Sequence, residues 1–180
     1  MTPSDIIDYW YSDRLKKAWF ASTPELDLEI KTRYEEVWHL AKNDALNGWR
    51  DSAEGCLALA IVLDQFPLNM FRGDPRSFET ESKAIEISKF AVNKGFDKEL
   101  KQETLPFLIM HLMHSENIED QELSVKLFKQ HNLTGNLRLA EHHRDLVRQF
   151  GRFPHRNIIL GRESTKEEKH YLESNNAFKG

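Results

Sequence analysis

The chemistry-bearing side chains of this chain are crowded into its second half. Between Arg138 and Arg162 there are six arginines, Arg138, Arg144, Arg148, Arg152, Arg156 and Arg162, against two acids, Glu141 and Asp145. Every cation in that segment is arginine, whose planar guanidinium suits bidentate pairing with carboxylate or phosphate. Such a patch has two uses. It can hold an anion, or it can lock helices together through Asp64, Glu116, Glu119, Asp120 and Glu122. His143 and His155 flank the patch as candidate general acids or bases, with Glu116 or Asp64 available to orient them. At 100° per residue His143 falls in the middle of the apolar face of Asn136–Phe150, among Leu139, Ala140, Leu146 and Val147, with Arg144 at its edge and Asp145 pointing away. The structural alternative for His143 is therefore a core imidazole bonded to a backbone carbonyl or a carboxylate.

Other chemistries find less support. Ser115 adjoins His114 outside any G-x-S-x-G context, and Cys56 lies in an apolar run where a thiolate would be desolvated. His143-Arg144-Asp145-Leu146 imitates a kinase catalytic loop, but Phe150 stands where its asparagine belongs and no glycine-rich phosphate loop accompanies it. His111 and His114 stand at i, i+3 with Glu116 beyond, yet no HExxH or other ligand spacing joins them to His143 or His155. No metal and no cofactor are expected.

These residues need elements to position them, and the organising one is Cys56–Arg72, CLALAIVLDQFPLNMFR. A helix apolar on every side must be enclosed by other helices. Its inner end delivers Asp64, Gln65, Asn69 and Arg72, and the Phe66-Pro67 step predicts a kink or restart. Before it, Thr2-Pro3-Ser4-Asp5 and Thr23-Pro24-Glu25 read as helix starts, and Ile30, Tyr34, Val37, Trp38, Ala41 and Ala45 form the stripe of a long helix ended by Asn47-Gly48. Ser52 caps the central helix. After it, Thr80 is expected to cap a helix stopped by Gly95, and further helices are expected over Leu105–Met113, Ile118–Gln130 and Asn136–Phe150. A capping box of Ser164 and Glu167 should start the last helix, running to about Glu173. No stretch alternates long enough for a strand, so the reading is all-α: one domain over residues 1–180 with about seven to nine packed helices.

Composition narrows the function classes. A net charge of −4 argues against generic attraction to nucleic acid, and the longest apolar run is far short of a membrane span. Met1–Ser12 lacks the pattern of a secretory signal, and the one cysteine rules out an intramolecular disulfide framework, so a cytoplasmic protein is expected.

Four stretches, LDQFPLNMFRG (Leu63–Gly73), FLIMHLMHSE (Phe107–Glu116), EHHRDLVRQFGRFPHRN (Glu141–Asn157) and LGRESTKEE (Leu160–Glu168), resemble in order the hallmark segments of a largely bacterial family known as domain of unknown function 924. The opening IIDYWY, Trp19-Phe20 and the closing AFKG fit as well. The resemblance implies a tetratricopeptide-like domain of antiparallel helices. It places the family's motif residues on Asp64, Gln65, Asn69, Arg72, His114, Ser115, Glu116, His143, Arg144, Asp145, Arg152, His155, Arg156, Asn157 and Arg162. Leu68 and His111 depart from the pattern, standing where arginine and proline are usual.

The favoured function is a binding module. Its groove would hold a small anion or an acidic peptide, with Gln65, Asn69, Arg72, His114, Arg144, Arg152, Arg156 and Asn157 as ligand-binding residues. The alternatives are a hydrolase using His143 or His155, and a helical scaffold whose polar residues are structural ties.

Overall fold

Helix starts follow local chemistry. Thr2 accepts from the N–H of Asp5 while Asp5 accepts in return, a capping box that opens α1 (Pro3–Trp10). Ser12 caps the four-residue α2 (Asp13–Lys16), and Thr23 caps α3 (Pro24–Lys42). Ser52 receives the N–H of Gly55 at the head of α4 (Ala53–Ala60). The computed structural model describes residues 1–175, 177 and 178, and among these there is no strand. Beyond α4 lie α5 (Phe66–Met70), α6 (Glu81–Lys94), α7 (Pro106–His114), α8 (Ile118–Gln130), α9 (Thr134–Phe150) and α10 (Lys166–Glu173). With Ala53–Met70 counted as one continuous helix, the described residues make nine, and the chain is all-α.

The chain divides into two compact units, residues 1–112 and 113–180. In the first, α4 packs against α1 and α6, and α5 packs against α3, so the apolar run is enclosed as its composition requires. Every residue from Cys56 to Pro67 is buried. The proline leaves its mark on the backbone. Ile61–Gln65 widens into a π-turn in which the N–H of Phe66 reaches the carbonyl of Ile61, and α5 starts afresh at Phe66. Pro67 has no N–H for the carbonyl of Leu63. The hydroxyl of Thr80 donates to that carbonyl and in turn accepts from the indole N–H of Trp38 at 2.9 Å. Thr80 thus does not cap α6 with its side chain, contrary to expectation, because that hydroxyl is already committed.

α3 also stops sooner than its stripe implies. Asp44 takes a left-handed φ of 62°, the helix ends at Lys42, and Ala45 is exposed, while Ile30, Tyr34, Val37, Trp38 and Ala41 are buried. Asn47–Asp51 then forms a 3-10 turn that lies on the head of α4. A Cβ built on Gly55 would stand 1.8 Å from the Trp49 carbonyl oxygen. Gly→Ala inside a helix ordinarily stabilises by about 1 kcal/mol. Here the sign should reverse: Gly55→Ala is expected to lower the urea midpoint, and Leu63→Ala to cost about 2–5 kcal/mol through cavity formation. No helix among the described residues is long and apolar enough to cross a membrane.

Candidate functional site

In the second unit, α8 and α9 are joined by the short His131–Leu133 link and pack along each other. Asn117 caps α8 by accepting from the N–H groups of Glu119 and Asp120 at 2.8 and 3.2 Å. Gly151, at φ 71°, ends α9, as only a residue at ease in the left-handed region does cheaply. The chain then enters the 151–165 segment, which carries Arg152, His155, Arg156, Asn157 and Arg162 of the sequence-selected residues.

A buried carboxylate ties that segment down. Glu168 accepts from Arg152 Nε at 2.7 Å and from its terminal nitrogen at 2.9 Å, from the N–H of Thr165 at 2.7 Å and from the Asn157 amide at 3.2 Å. Arg152 holds it down to about 2, against the opposing push of burial. The capping box of α10 is accordingly Thr165 with Glu168, one residue later than the expected Ser164 with Glu167. Glu168 is the acid that Arg152 pins, and the Ser164 hydroxyl is taken by the Asn157 amide at 3.1 Å. A second carboxylate works in parallel. Glu116 accepts two bonds from Arg162, at 2.6 and 2.9 Å, and the N–H of Phe153 at 2.8 Å. Burial pushes Glu116 up, but these donors outweigh it and leave it below the usual range. Arg162 reaches further, to Asn157 Oδ1 at 2.9 Å and the Phe153 carbonyl at 3.2 Å.

What these ties present is Phe153, fully buried, at the centre of a ring of polar groups. The His143 and His155 rings lie 5.3 and 5.6 Å from it, and the Arg156 guanidinium stands over its face at 4.8 Å. Phe178 closes against both histidines, at 4.5 and 5.0 Å. His143 Nδ1 lies 2.8 Å from the Leu139 carbonyl. A carbonyl can only accept, so Nδ1 carries the proton and Nε2 the lone pair. Burial lowers His143 to about 3, against the Leu139 bond that favours its charged form. Burial, then the charge of Arg156, lowers His155 to about 4. His114 adds a smaller push on both. At neutral pH the site therefore offers neutral imidazoles beside the buried Arg156 guanidinium, with Arg162 and Glu116 also acting on His155.

The remaining selected residues have other engagements. Arg72 pairs with Asp27 at 2.7 Å and touches Asn69 Oδ1 at 3.3 Å, within the first unit. Asn69 donates to the Gln65 carbonyl, and Gln65 to Asp64, at 2.9 and 2.6 Å. Asp64 also lies 3.0 Å from His111 Nδ1, both side chains buried. Arg144 binds Asp145 at 2.9 and 3.0 Å, and Arg148 binds Glu122. The Ser115 hydroxyl donates to Asp120 at 2.8 Å and accepts from the Asn117 N–H. An open groove beside α10, lined by Gln149, Lys166, Glu167, His170, Tyr171 and Ser174, contains none of the selected residues.

Sequence reading passed over Phe153, Phe178 and Glu168. Phe153 was legible only as an aromatic before a proline, and the signal for Glu168 was its own capping-box spacing from Thr165.

The shifted groups set a pH dependence. A histidine held below its ordinary 6.5 binds protons more readily unfolded, so its contribution is complete above that value and is lost as pH falls toward about 4 and about 3. Glu168, held at about 2 against 4.5, adds a further loss as pH falls from 4.5. Urea midpoints should fall from pH 7 to pH 4 and more steeply below, and His143→Phe should flatten the upper limb. Glu168→Ala removes a cap and a charge-assisted pair and should cost about 2–4 kcal/mol at pH 7, as read from the same denaturation curves.

Comparison with known proteins agrees with this architecture. No curated protein matches the chain. A solved structure, the protein of unknown function ATU0120 from Agrobacterium tumefaciens, is similar, with 38% identity, a TM-score of 0.87 and coverage of 95% of this chain and 96% of the other. The family model described as "Bacterial protein of unknown function (DUF924)" matches residues 6–176, and with nearly the whole sequence inside it, the chain belongs to the DUF924 family.

Proposed function

We propose that the chain is a binding protein for a small anion, and that the second unit holds the site, with Arg156, His155 and His143 grouped about Phe153. The observation that carries this is the convergence of one buried guanidinium and two neutral imidazoles on a single buried ring. A guanidinium taken out of water favours a ligand that brings a negative charge, and neutral imidazoles discriminate by hydrogen bonding without adding charge of their own. Burial sets Arg156 apart from the exposed Arg138 and Arg148 and supports a narrower site than the full arginine series, with Arg152 and Arg162, bound to Glu168 and Glu116, shaping the segment that carries it. A small carboxylate or phosphate suits a buried guanidinium beside two imidazoles better than an acidic peptide does. The hydrolase reading is less favoured, because an imidazole lowered to about 3 is a weak base at neutral pH and the Ser115 hydroxyl is held by Asp120.

A thermal-shift series with phosphate, sulphate and small carboxylic acids tests the reading. An anion that binds only the folded chain raises the melting temperature with its concentration. Arg156→Gln should weaken that binding by about thirtyfold, the equivalent of roughly 2 kcal/mol for a charge-assisted bond, while Arg148→Ala, altering a surface pair with Glu122, should leave it intact. If no anion stabilises the wild type, or Arg156→Gln responds like the wild type, these residues are structural and the scaffold reading replaces this one.

A further inference from the structure

His143 has two ring nitrogens, and the fold has already committed one of them. Nδ1 donates to the Leu139 carbonyl, one turn earlier in α9, at 2.8 Å. A carbonyl has no proton to give, so that bond fixes the tautomer: Nδ1 holds the proton and Nε2 keeps its lone pair. Burial, which lowers the ring to about 3, keeps it in this neutral form at ordinary pH. Nε2 is then an acceptor and nothing else. At His155 Nδ1 there is no such bond: the atom is buried with no hydrogen-bond partner among the described residues, and it selects neither donors nor acceptors by itself. The Arg156 guanidinium, over the Phe153 face, can only donate. Of the three groups about Phe153, His143 is therefore the one whose remaining hydrogen bond has a fixed direction.

Given the anion reading above, on which this rests, we propose that the anion carries a proton of its own on an oxygen beside its charge, so that hydrogen phosphate is taken over sulphate and a hydroxy acid over the plain acid. If His143 bonds the ligand, the ligand must supply the hydrogen, since Nδ1 is committed to Leu139 and Nε2 has none. A bare oxyanion set against Nε2 would bring two lone pairs together away from water, losing the hydration of both and gaining no bond. Hydrogen phosphate and sulphate make the comparison clean. Both are tetrahedral, both carry two negative charges in mildly alkaline solution, and they differ by one proton. Arg156 attracts them alike through charge, so the choice between them falls to the imidazole. Specificity of this kind works as much by leaving the wrong partner unpaired as by holding the right one.

The test uses the full chain at pH 8, where both imidazoles are neutral, and measures dissociation constants for phosphate, sulphate, lactate and propanoate by calorimetry. Phosphate should bind about tenfold more tightly than sulphate, and lactate more tightly than propanoate by a similar factor. His143→Gln replaces the fixed acceptor with an amide that donates as well as accepts, so the phosphate preference should shrink to within about threefold. Long-range proton–nitrogen NMR on the wild type reads the tautomer directly and needs no variant. His143 should be protonated on Nδ1 with and without phosphate, and its Nε2 signal should move when phosphate is added. Sulphate binding as tightly as phosphate would overturn the proposal and leave the anion reading standing. So would a wild-type His143 protonated on Nε2, or a preference kept in full by a folded His143→Gln chain. If no anion binds the wild type, the anion reading fails and takes this proposal with it.

Discussion

A carboxylate with almost no exposure must find donors for both its oxygens, and in the second unit Glu168 finds them in Arg152, Asn157 and the Thr165 N–H. Those donors come from the far side of the turn after α9, from the middle of the irregular segment and from the cap of α10. One buried charge therefore fixes both ends and the centre of a stretch that has little regular structure of its own. Glu116 repeats the device from before α8, binding Arg162 and the N–H of Phe153. Between the two acids the backbone around Phe153 has little freedom, and the orientation of His155 and Arg156 follows from it. Removing either acid would strand an arginine as well as a loop, which is why such pairs act as ties even when their net stabilisation is modest.

The first unit solves a different problem. Its helix from Ala53 to Met70 is too apolar to meet water, yet the proline within it creates an unsatisfied carbonyl in the least hydrated place available. The π-turn and the Trp38–Thr80–Leu63 relay are the answer, one shifting the backbone bonds by a residue and the other supplying a hydroxyl. Asp64 and Gln65 lie in that π-turn, and their polar side chains are buried there and bonded to each other. Wide turns of this kind often accompany functional positions. Here the bonds account for the geometry through packing and the proline.

The helix starts were legible because a cap is a local contract within about four residues, as in three cases here: Thr2 with Asp5, Thr23 before Leu26, Ser52 before Gly55. The burial of His143 was legible too, since the period of α9 alone puts it on the apolar face. What local pattern could not supply was competition between partners. Ser164 with Glu167 and Thr165 with Glu168 are equally good boxes on paper, and the choice was made by Arg152, distant in sequence. Thr80 reads as a cap until a carbonyl seventeen positions earlier claims it. Ala45 continues the α3 stripe on a helical wheel, but the left-handed Asp44 ends the wheel first.

The arginines show the same limit from the side of function. A run of six with few local acids reads as a cationic patch, because sequence counts charge by neighbourhood along the chain. Space counts it by partner. Glu122 meets Arg148, Glu168 meets Arg152 and Glu116 meets Arg162, each acid drawn from outside the segment. The field left around Phe153 is therefore much smaller than the sequence total, and the residues that matter there are chosen by burial. A guanidinium at the protein surface binds anions weakly and indiscriminately, screened by salt. Beside dry, neutral imidazoles the same group acts in a medium of lower dielectric, where one well-placed charge discriminates better than several exposed ones. That is the physical reason to look for recognition at Arg156 and the paired histidines, where burial has lowered the histidines, before looking along the exposed face of α9.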